Sequence, residues 1–497
     1  MCGVVAVFWL EWRDTRIPQT LTDVLYGSTN RGQKGYGIAV VSEGGIMRHV
    51  SEELSWVEEV LKKYKWRTSL IIGHARYTTS GPEGWEEALQ PFAVKTGELE
   101  HAGLSFAFNG NIVNAQIIAD ELIKKGYTLK HNPLLDTEVL KFMIEDQVHN
   151  GKTDLKEILE YIHNKIDGCC NIILVNKEGD MAVAKDKWGF RPLVYGIKDG
   201  MLIVASESAA LSRAGCHTFD HISSGQILQI KSGDISSKKA AMKIDTPVPR
   251  SRCIFEMIYF AHPQTVLGKE ASAAYRYRFG QTLAEYDLDR FSRSNTVVVD
   301  IPESSQDSAT GYSNRLGIQR VRAITKNPEQ SKSGRTFIAS HNAREEKIRQ
   351  AYVFNPLLKD YFKGKVVVLM DDSLVRGSTL EYMIKAFQEF YEPAEIHIRI
   401  PSPPIVAPCF YGIDMATIDT LMAPKFFQDI QNPTEEELRK LAQALGVKSL
   451  KYLTRPDLIT AVQFKVNELC LACLTGKYPT PFGQAAYDTQ IAAKKTT

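Results

Sequence analysis

The sequence predicts a two-domain protein of α/β and α+β architecture, with helix-covered sheets in the first domain and a parallel sheet in the second. Its 497 residues exceed what one hydrophobic core usually supports, so two domains are expected. In the first half, short β-type runs such as VVAVF, which begins at Val4, alternate with stretches of helical periodicity. In the second half, the run KVVVLMDDS leads directly into a helical stretch, an order typical of a parallel sheet.

A polar stretch, SGDISSKKAAMKIDTPVPRSR, separates the two predicted domains. We expect the first domain to cover residues 1–235 and the second to cover residues 250–482. The second domain also contains the run TVVVD, which ends at Asp300 and predicts another buried strand. Residues 483–497 end in AAKKTT and are expected to form a flexible tail.

Composition and charge exclude several classes of function. A net charge of +2 argues against a general nucleic-acid binder, which would need clustered Lys and Arg on one face. No segment approaches the roughly 20 apolar residues of a membrane span, and the N-terminus lacks the features of a signal peptide. We therefore expect a cytoplasmic protein that binds neither nucleic acid nor membrane. In that compartment, eight cysteines suggest thiol chemistry, metal ligation or burial rather than disulfides.

Cys2 is the first candidate catalytic residue, because removal of the initiator Met would give it a free α-amino group. Such an amine has a reference pKa of about 7.7–8.0 and can act as a base near neutral pH. A thiol is already a strong nucleophile. Taken alone, a cysteine in the second position is as readily an accident of sequence.

Seven motifs in the first half strengthen the case for Cys2. In order along the chain they are MCGVVAVF, NRGQ, GHARYTT, FNGNIVN, LDTE, DKWGFRPLVYG and ASES. Together they resemble the N-terminal-nucleophile (Ntn) hydrolase domain of class II glutamine amidotransferases. The resemblance implies an αββα sandwich in which Cys2 attacks the carboxamide of glutamine. It also implies an oxyanion hole formed by Asn109 and the Gly110 backbone N–H.

The same resemblance assigns three residues to glutamine binding. Arg76 would pair with the α-carboxylate, which suits a bidentate guanidinium, and Asp136 would hold the α-ammonium. Arg31 would help to frame the pocket. Without these motifs, a surface ion pair would be the preferred interpretation of Arg76 or Asp136.

A second candidate site follows the predicted strand that ends at Met370. Two adjacent acids at the carboxyl end of a strand are unfavourable unless they meet a cation or ribose hydroxyls. The hydroxyls and backbone N–H groups that follow lie at a predicted helix start, which is a natural anion site. Ser378 and Glu381 also fit a capping box. An acidic turn followed by a capped helix would explain the second half of this segment but not the acid pair.

The segment DDSLVRGST resembles the phosphoribosyl pyrophosphate loop of type I phosphoribosyltransferases. That resemblance implies Mg²⁺ held by Ser304, Asp371 and Asp372. It implies a phosphoribosyl pyrophosphate site formed by Asp371, Asp372, Ser373, Arg376, Gly377, Ser378 and Thr379.

A class II glutaminase followed by this loop is similar to the amidophosphoribosyltransferase family. Further matching stretches are CIFEMIYFAHPQT, GRTFI, PSPPIVAPCFYGID and CLACLTGKYP, so the resemblance covers roughly residues 1–482. It implies conversion of phosphoribosyl pyrophosphate, glutamine and water to 5-phosphoribosylamine, glutamate and pyrophosphate, the first committed step of purine synthesis. A shielded passage for ammonia, a homo-oligomer and nucleotide feedback inhibitors are further expectations.

Four cysteines are expected to bind a cofactor. One branch of this family ligates a 4Fe–4S cluster at the places of Cys253, Cys409, Cys470 and Cys473. A C-x-x-C pair alone fits zinc, redox chemistry or no function. The context of CLACLTGKYP and APCFYGID favours the cluster, with zinc or four free thiols as the alternatives.

The chain departs from the family where a loop should close over the substrate. Family members usually carry KNRYVGRTF, whereas here Lys326 and Asn327 precede PEQSKS and then Gly334–Thr336. A family lysine is also missing near Tyr352. Two alternative functions follow, a phosphoribosyl pyrophosphate sensor or a glutaminase with a degenerate transferase lid. Glucosamine-phosphate or asparagine synthesis is disfavoured, because DDSLVRGST replaces what those acceptors require and no SGGxDS-type ATP loop is present.

Overall fold

The computed structural model describes residues 2–10, 17–42, 45–63, 68–77, 88–94, 103–232, 241–242, 250–327, 349–415, 417–429 and 432–496. The chain divides into two compact units. The first consists of residues 1–252 with the short segments 410–414 and 480–486, and the second contains the remaining residues. The first unit therefore includes two segments that lie far along the sequence.

Two antiparallel sheets form the centre of the first unit. In spatial order, the strands of one sheet are Asp220–His221, Val194–Lys198, Met201–Ala205, Gly3–Trp9, Thr68–Ala75, Tyr36–Ser42 and Gly45–Ser51. The strands of the other are Ala241–Met242, Ile227–Ile230, Met181–Ala184, Gly168–Asn176, Leu104–Ile112 and Phe92–Val94.

Helices cover the outer face of each sheet, so the unit is built in four layers. The alternation of strand Gly3–Trp9 shows why. Val4 and Ala6 belong to the core between the two sheets, while Val5 and Val7 pack beneath the helices. Since both faces of the strand are buried, its residues form a continuous apolar run. The predicted αββα sandwich is confirmed. Its helices are Ile17–Tyr26, Leu54–Leu61, Ala115–Lys124, Asp136–His149, Leu155–Lys165 and Ser208–Arg213.

A parallel sheet forms the centre of the second unit, as predicted. Its strands in spatial order are Thr296–Asp300, Val366–Met370, Glu395–Ile400 and Ser449–Tyr452. Val367, Leu369 and Ile398 pack with Met383 and Phe387 of the helix that follows the second strand. This helix therefore begins at the carboxyl edge of the sheet, where ligands bind in open α/β sheets.

Short elements complete the second unit. The small strand pairs are Val266–Leu267 with Glu270–Ala271, Ile324–Lys326 with Tyr352–Phe354, and Arg252–Cys253 with Leu469–Cys470. The α-helices are Ser272–Ala284, Gln306–Leu316, Lys359–Phe362, Ser378–Tyr391, Ala423–Phe426, Glu435–Ala444, Arg455–Val462 and Ala472–Thr475. Single turns of other helix types are Glu256–Phe260, Glu285–Asp287, Pro356–Leu358, Ile418–Thr420 and Val466–Glu468.

The range predicted as a tail contains regular structure. A helix spans Pro481–Thr496, and its first residues pack into the first unit. The Phe482 N–H donates to Asp167 Oδ2 at 3.2 Å. This anchor of the helix start was not apparent from the polar end of the sequence. Among the described residues, no helix combines the length and apolar character that a membrane span requires.

Candidate functional site

The first site is a pocket at the end of the sandwich where strand Gly3–Trp9 begins. It brings together four residues predicted for glutamine chemistry, namely Cys2, Arg76, Gly110 and Asp136. The full lining is Cys2, Arg76, Tyr77, Ala88, Gln90, Phe108, Gly110, Leu135, Asp136 and Thr137.

Cys2 is held in this pocket by neighbouring main-chain groups. Its backbone nitrogen donates to Asn109 Oδ1 at 3.1 Å, and the Tyr77 N–H lies 3.5 Å from its Sγ. Burial raises the pKa of the Cys2 thiol, but His74 and smaller contributions outweigh burial and lower this pKa to about 6. At neutral pH the thiol is therefore largely the nucleophilic thiolate.

Asn109 and Gly110 have the properties that an oxyanion hole requires. Asn109 Nδ2 is buried and has no hydrogen-bond partner among the described residues, so a donor is left free for a ligand. A Cβ at Gly110 would lie 1.9 Å from the Cys169 carbonyl oxygen, so only glycine fits there. Both residues lie on strand Leu104–Ile112, whose register places Asn109 opposite Asn171.

Asp136 and Arg76 bring opposite charges to the pocket. Asp136 begins helix Asp136–His149, and its Oδ2 accepts the Ile112 N–H at 2.9 Å. Burial nevertheless raises the pKa of Asp136 to about 6, so a cationic ligand beside it would favour its ionised form. Arg76 is buried and follows strand Thr68–Ala75. A Cβ at Gly32 would meet the Arg76 carbonyl carbon at 2.4 Å, which explains the glycine in NRGQ.

Arg31 lies behind Cys2 rather than among the pocket-lining residues. Its Nε donates to the Cys2 carbonyl oxygen at 3.1 Å, and its guanidinium forms an ion pair with Glu207. Both side chains are fully buried, and Asn30 Nδ2 donates to Glu207 Oε1 at 3.1 Å. Glu207 was not predicted as a site residue, although it lies in the ASES motif. Sequence analysis also missed the contact of Tyr77 with Cys2, although Tyr77 lies in GHARYTT.

The second site follows strand Val366–Met370. The Asp372 N–H donates to Asp371 Oδ1 at 3.0 Å, and the hydroxyls of Ser304 and Ser373 both donate to the Asp372 carboxylate. Burial and the charge of Asp372 raise the pKa of Asp371 well above its usual range. A cation would relieve this repulsion, and carboxylate and hydroxyl oxygens suit Mg²⁺, so the donor set fits that ion.

The helix start after the acid pair also has the features of an anion site. The N-cap of helix Ser378–Tyr391 is Gly377, at φ +89°, with no side-chain cap. The predicted capping box of Ser378 with Glu381 is therefore wrong, because Ser378 is the first helical residue and not the cap. The buried Ser378 Oγ has no hydrogen-bond partner within the described ranges. The first N–H groups of the helix thus lack a side-chain acceptor from the cap.

The four cysteines predicted to bind a cluster are neighbours in the second unit. The strand of Cys253 pairs with that of Cys470, and the Cys473 carbonyl accepts the N–H groups of Val406 and Ala407, just before Cys409. Burial, followed by the charges of the other three, raises the pKa of the Cys473 thiol well above its usual range. Within the described ranges, no three His, Cys, Asp or Glu side chains have the arrangement of metal ligands. The four thiols are thus neighbours in the described part of the second unit.

The predicted closing loop lies outside the described residues, from 328 to 348. The described residues on either side of this range are adjacent, because Lys326 pairs with Tyr352 across two short antiparallel strands. Lys326 Nζ lies 3.8 Å from Glu303 Oε2. Burial and the charge of Asp371 raise the pKa of Tyr352, so a neutral phenol stands near the acid pair where a lysine was expected.

Comparison with known proteins identifies the class first. A family model described as a glutamine amidotransferase domain matches residues 75–213, a range that contains Arg76, Asn109, Asp136 and Glu207. Together with the four-layer fold and the pocket at Cys2, this match shows that the first unit is similar to a glutamine amidotransferase domain.

Curated relatives extend the likeness over nearly the whole chain. The amidophosphoribosyltransferase of Methanocaldococcus jannaschii is 33% identical over 97% of this chain and 98% of the relative. That of Bacillus subtilis is 31% identical over 97% and 95%. The solved glutamine phosphoribosylpyrophosphate amidotransferase of B. subtilis, complexed with ADP and GMP, matches with a TM-score of 0.79 and 29% identity, over 97% of this chain and 98% of that one. The chain belongs to the amidophosphoribosyltransferase family.

Proposed function

We propose that this protein converts phosphoribosyl pyrophosphate, glutamine and water to 5-phosphoribosylamine, glutamate and pyrophosphate, the first committed step of purine synthesis. One observation carries the proposal: a single chain holds two complementary sites. In one, the partly buried thiol of Cys2, whose pKa is lowered, lies beside the free amide donor of Asn109. In the other, an acid pair precedes a helix start without a side-chain cap.

The glutaminase half-reaction would use the first site. The Cys2 thiolate attacks the carboxamide carbon, and Asn109 Nδ2 and the Gly110 N–H donate to the oxygen on which negative charge develops. Collapse of this intermediate breaks the C–N bond, releases ammonia and leaves a thioester. Water then hydrolyses the thioester to glutamate and restores Cys2. After removal of Met1, the α-amine of Cys2 would transfer the protons.

Glutamine would be oriented in this pocket by its two charged groups. The Arg76 guanidinium binds the α-carboxylate, and Asp136 accepts hydrogen bonds from the α-ammonium. The raised pKa of Asp136 supports this role, because a bound ammonium group would stabilise the ionised carboxylate that burial disfavours. Arg31 would act indirectly, since it holds the Cys2 carbonyl and thereby fixes the direction of the thiol.

The transferase half-reaction would use the second site. Asp371 and Asp372 bind the ribose hydroxyls, and the segment Ser373–Thr379, which includes Arg376, Gly377 and Ser378, surrounds the 5′-phosphate. Ammonia forms a bond to the anomeric carbon as the bond to pyrophosphate breaks. Ser304, Asp371 and Asp372 would hold Mg²⁺, which neutralises charge on the leaving pyrophosphate when it is bound. Since ammonia in neutral water is mostly protonated, its transfer would be shielded from solvent.

Measuring both products in one mixture tests the proposed function. With glutamine, phosphoribosyl pyrophosphate and Mg²⁺ present, we expect the protein to release glutamate and pyrophosphate in equal amounts. Omission of phosphoribosyl pyrophosphate should abolish pyrophosphate release and serves as the control. Glutamate without pyrophosphate would indicate a degenerate transferase lid. Binding of phosphoribosyl pyrophosphate with neither product would indicate a sensor.

We further propose that Cys253, Cys409, Cys470 and Cys473 bind a 4Fe–4S cluster, a site supported by four neighbouring thiols of which three are buried. Protein purified without oxygen should contain about four iron atoms and four sulfides per chain. Cys473→Ala should lose the iron, whereas Cys216→Ala, which removes a buried cysteine of the first unit, should retain it. One zinc per chain, or no metal, would contradict the assignment.

The expected partners complete the proposal. A cytoplasmic homo-oligomer is proposed from the family, and purine nucleotides are proposed as feedback inhibitors. The solved B. subtilis relative, complexed with ADP and GMP, supports the second point.

A further inference from the structure

A buried histidine shares the interior of the sandwich with Cys2. His74 lies on strand Thr68–Ala75, whose register with the first strand places it opposite Val4. Its side chain is fully buried. Leu70 and Ile72, two and four residues earlier on the same strand, belong to the core between the sheets, and so does Val4.

The alternation of both strands puts Cys2 and His74 on the same face. Side chains two residues apart point to the same side of a sheet, so Cys2 points with Val4 and His74 points with Ile72. Cys2 immediately precedes the strand, and the antiparallel register continued by one residue makes Cys2 and His74 diagonal neighbours, a distance that long and aromatic side chains can bridge. His74 therefore approaches the thiol from within the sandwich, and it is absent from the pocket lining that a substrate would touch.

A packing role alone does not explain a histidine at this position. Neither His74 ring nitrogen has a well-aligned hydrogen bond to any described residue. A buried polar group without a partner destabilises the folded state, and an aliphatic side chain could fill the same space without that cost. His74 instead interacts with the Cys2 thiol. Among the groups that lower the pKa of this thiol, His74 has the largest effect.

The other charged groups around Cys2 cannot replace His74 in this role. Arg31 is compensated by its buried ion pair with Glu207. The carboxylate of Asp136 would oppose a negative sulfur, and Arg76 lines the pocket where a ligand would engage it. The chain's amino terminus lowers the pKa of Cys2 less than His74 does.

We propose that His74 is a positioning residue for the Cys2 thiolate, which it stabilises and orients from the side opposite the substrate. The effect of His74 on catalysis rests on the proposed function, whereas its effect on the ionisation of Cys2 does not. His74 needs no contact with glutamine, because its effect reaches the reaction through the sulfur atom. The ionisation of Cys2 can therefore be measured with no substrate present.

Alkylation of Cys2 by iodoacetamide at a series of pH values tests this inference. The modified N-terminal peptide, followed by mass spectrometry, reports on Cys2 alone among the eight cysteines. In the unmodified protein the rate should rise with a midpoint near the thiol pKa of about 6. In His74→Gln the midpoint should move up by about one pH unit or more, which slows alkylation at pH 6 about fivefold. An unchanged midpoint in folded His74→Gln would overturn the proposal.

His163→Gln is a matched control. His163 is also buried and also has no hydrogen-bond partner among the described residues, but it lies on helix Leu155–Lys165, outside the second sheet. Its replacement should leave the midpoint of Cys2 alkylation unchanged, and a comparable shift would show a nonspecific effect of losing a buried histidine. A shifted midpoint in His74→Gln, together with no glutaminase activity in the unmodified protein, would support this inference while refuting the proposed function.

A second measurement applies if His74→Gln does not fold. Protein labelled with ¹³C at histidine Cε1 can be titrated by NMR, with and without the Cys2→Ala substitution. We expect one of the 11 histidine resonances to change its titration midpoint when the thiol is removed. If every midpoint stays the same, His74 does not interact with the Cys2 thiolate.

Discussion

Replacing Cys2 with alanine should abolish the use of glutamine while the use of ammonia is retained. We expect glutamine-dependent formation of pyrophosphate to fall by about 10³-fold or more, as with the loss of other enzymatic nucleophiles. Without the thiol no thioester forms, and the oxyanion hole at Asn109 has no reaction to stabilise. The transferase site is untouched, so a high concentration of ammonium chloride at alkaline pH should still produce pyrophosphate at close to the original rate.

The measurement is pyrophosphate release with each nitrogen source in turn. Cys216→Ala is the matched control, since it also removes a buried thiol from the first unit. That control should retain both activities. If Cys2→Ala also lost the ammonia-dependent reaction while remaining folded, Cys2 would have a role beyond that of glutaminase nucleophile.

Replacing Asp372 with asparagine should abolish the reaction with both nitrogen sources, whereas Cys2→Ala abolishes only the reaction with glutamine. Each hydrogen bond to a charged group contributes about 1.5–3 kcal/mol, so the loss of two at the ribose hydroxyls predicts a decrease of about 10²–10⁴-fold. Pyrophosphate release is again the measurement, now with glutamine and with ammonia. Alkylation of Cys2 should be unaffected. Asp360→Asn, which removes an exposed carboxylate of the same unit, should have no effect on either activity.

Stability supplies an independent readout for the neighbouring acid. Because burial and Asp372 raise the pKa of Asp371, its ionised form weakens folding as the pH rises. Asp371→Asn should therefore increase the free energy of unfolding at neutral pH while it decreases activity. The gain should vanish below about pH 4, where an ordinary aspartate is already protonated. A loss of stability at pH 7 would contradict the interpretation of this pair as a site held ready for a cation.

Local patterns sufficed to predict much of this structure. The apolar run from Val4 predicted a strand, the run that ends at Met370 predicted a buried strand, and both predictions are confirmed. The fold class and the family are likewise confirmed. These features could be predicted because alternation, helical periodicity and motif order are patterns of residues close together in the sequence.

Contacts between distant residues could not be predicted in this way. Arg31 and Glu207 are 176 positions apart in the sequence. The residues that flank each of them in the sequence do not indicate that the two side chains form an ion pair next to Cys2. The capping box at Ser378 failed for a different reason. The spacing to Glu381 is right, but Gly377 takes the cap position with a positive φ, which shifts the start of the helix by one residue.

The two remote segments in the first unit determine when that unit can finish folding during synthesis. Arg191 donates to the Tyr411 carbonyl oxygen at 2.7 Å, Asn111 donates to that of Phe410 at 3.0 Å, and Phe190 stacks on Tyr411. These partners emerge from the ribosome more than 200 residues after the residues they contact, and the anchor at Phe482 emerges later still. A nascent glutaminase unit therefore stays incomplete until nearly the whole transferase has been made. The last segments of the glutaminase unit are thus synthesised after Asp371 and Asp372 of the acceptor site.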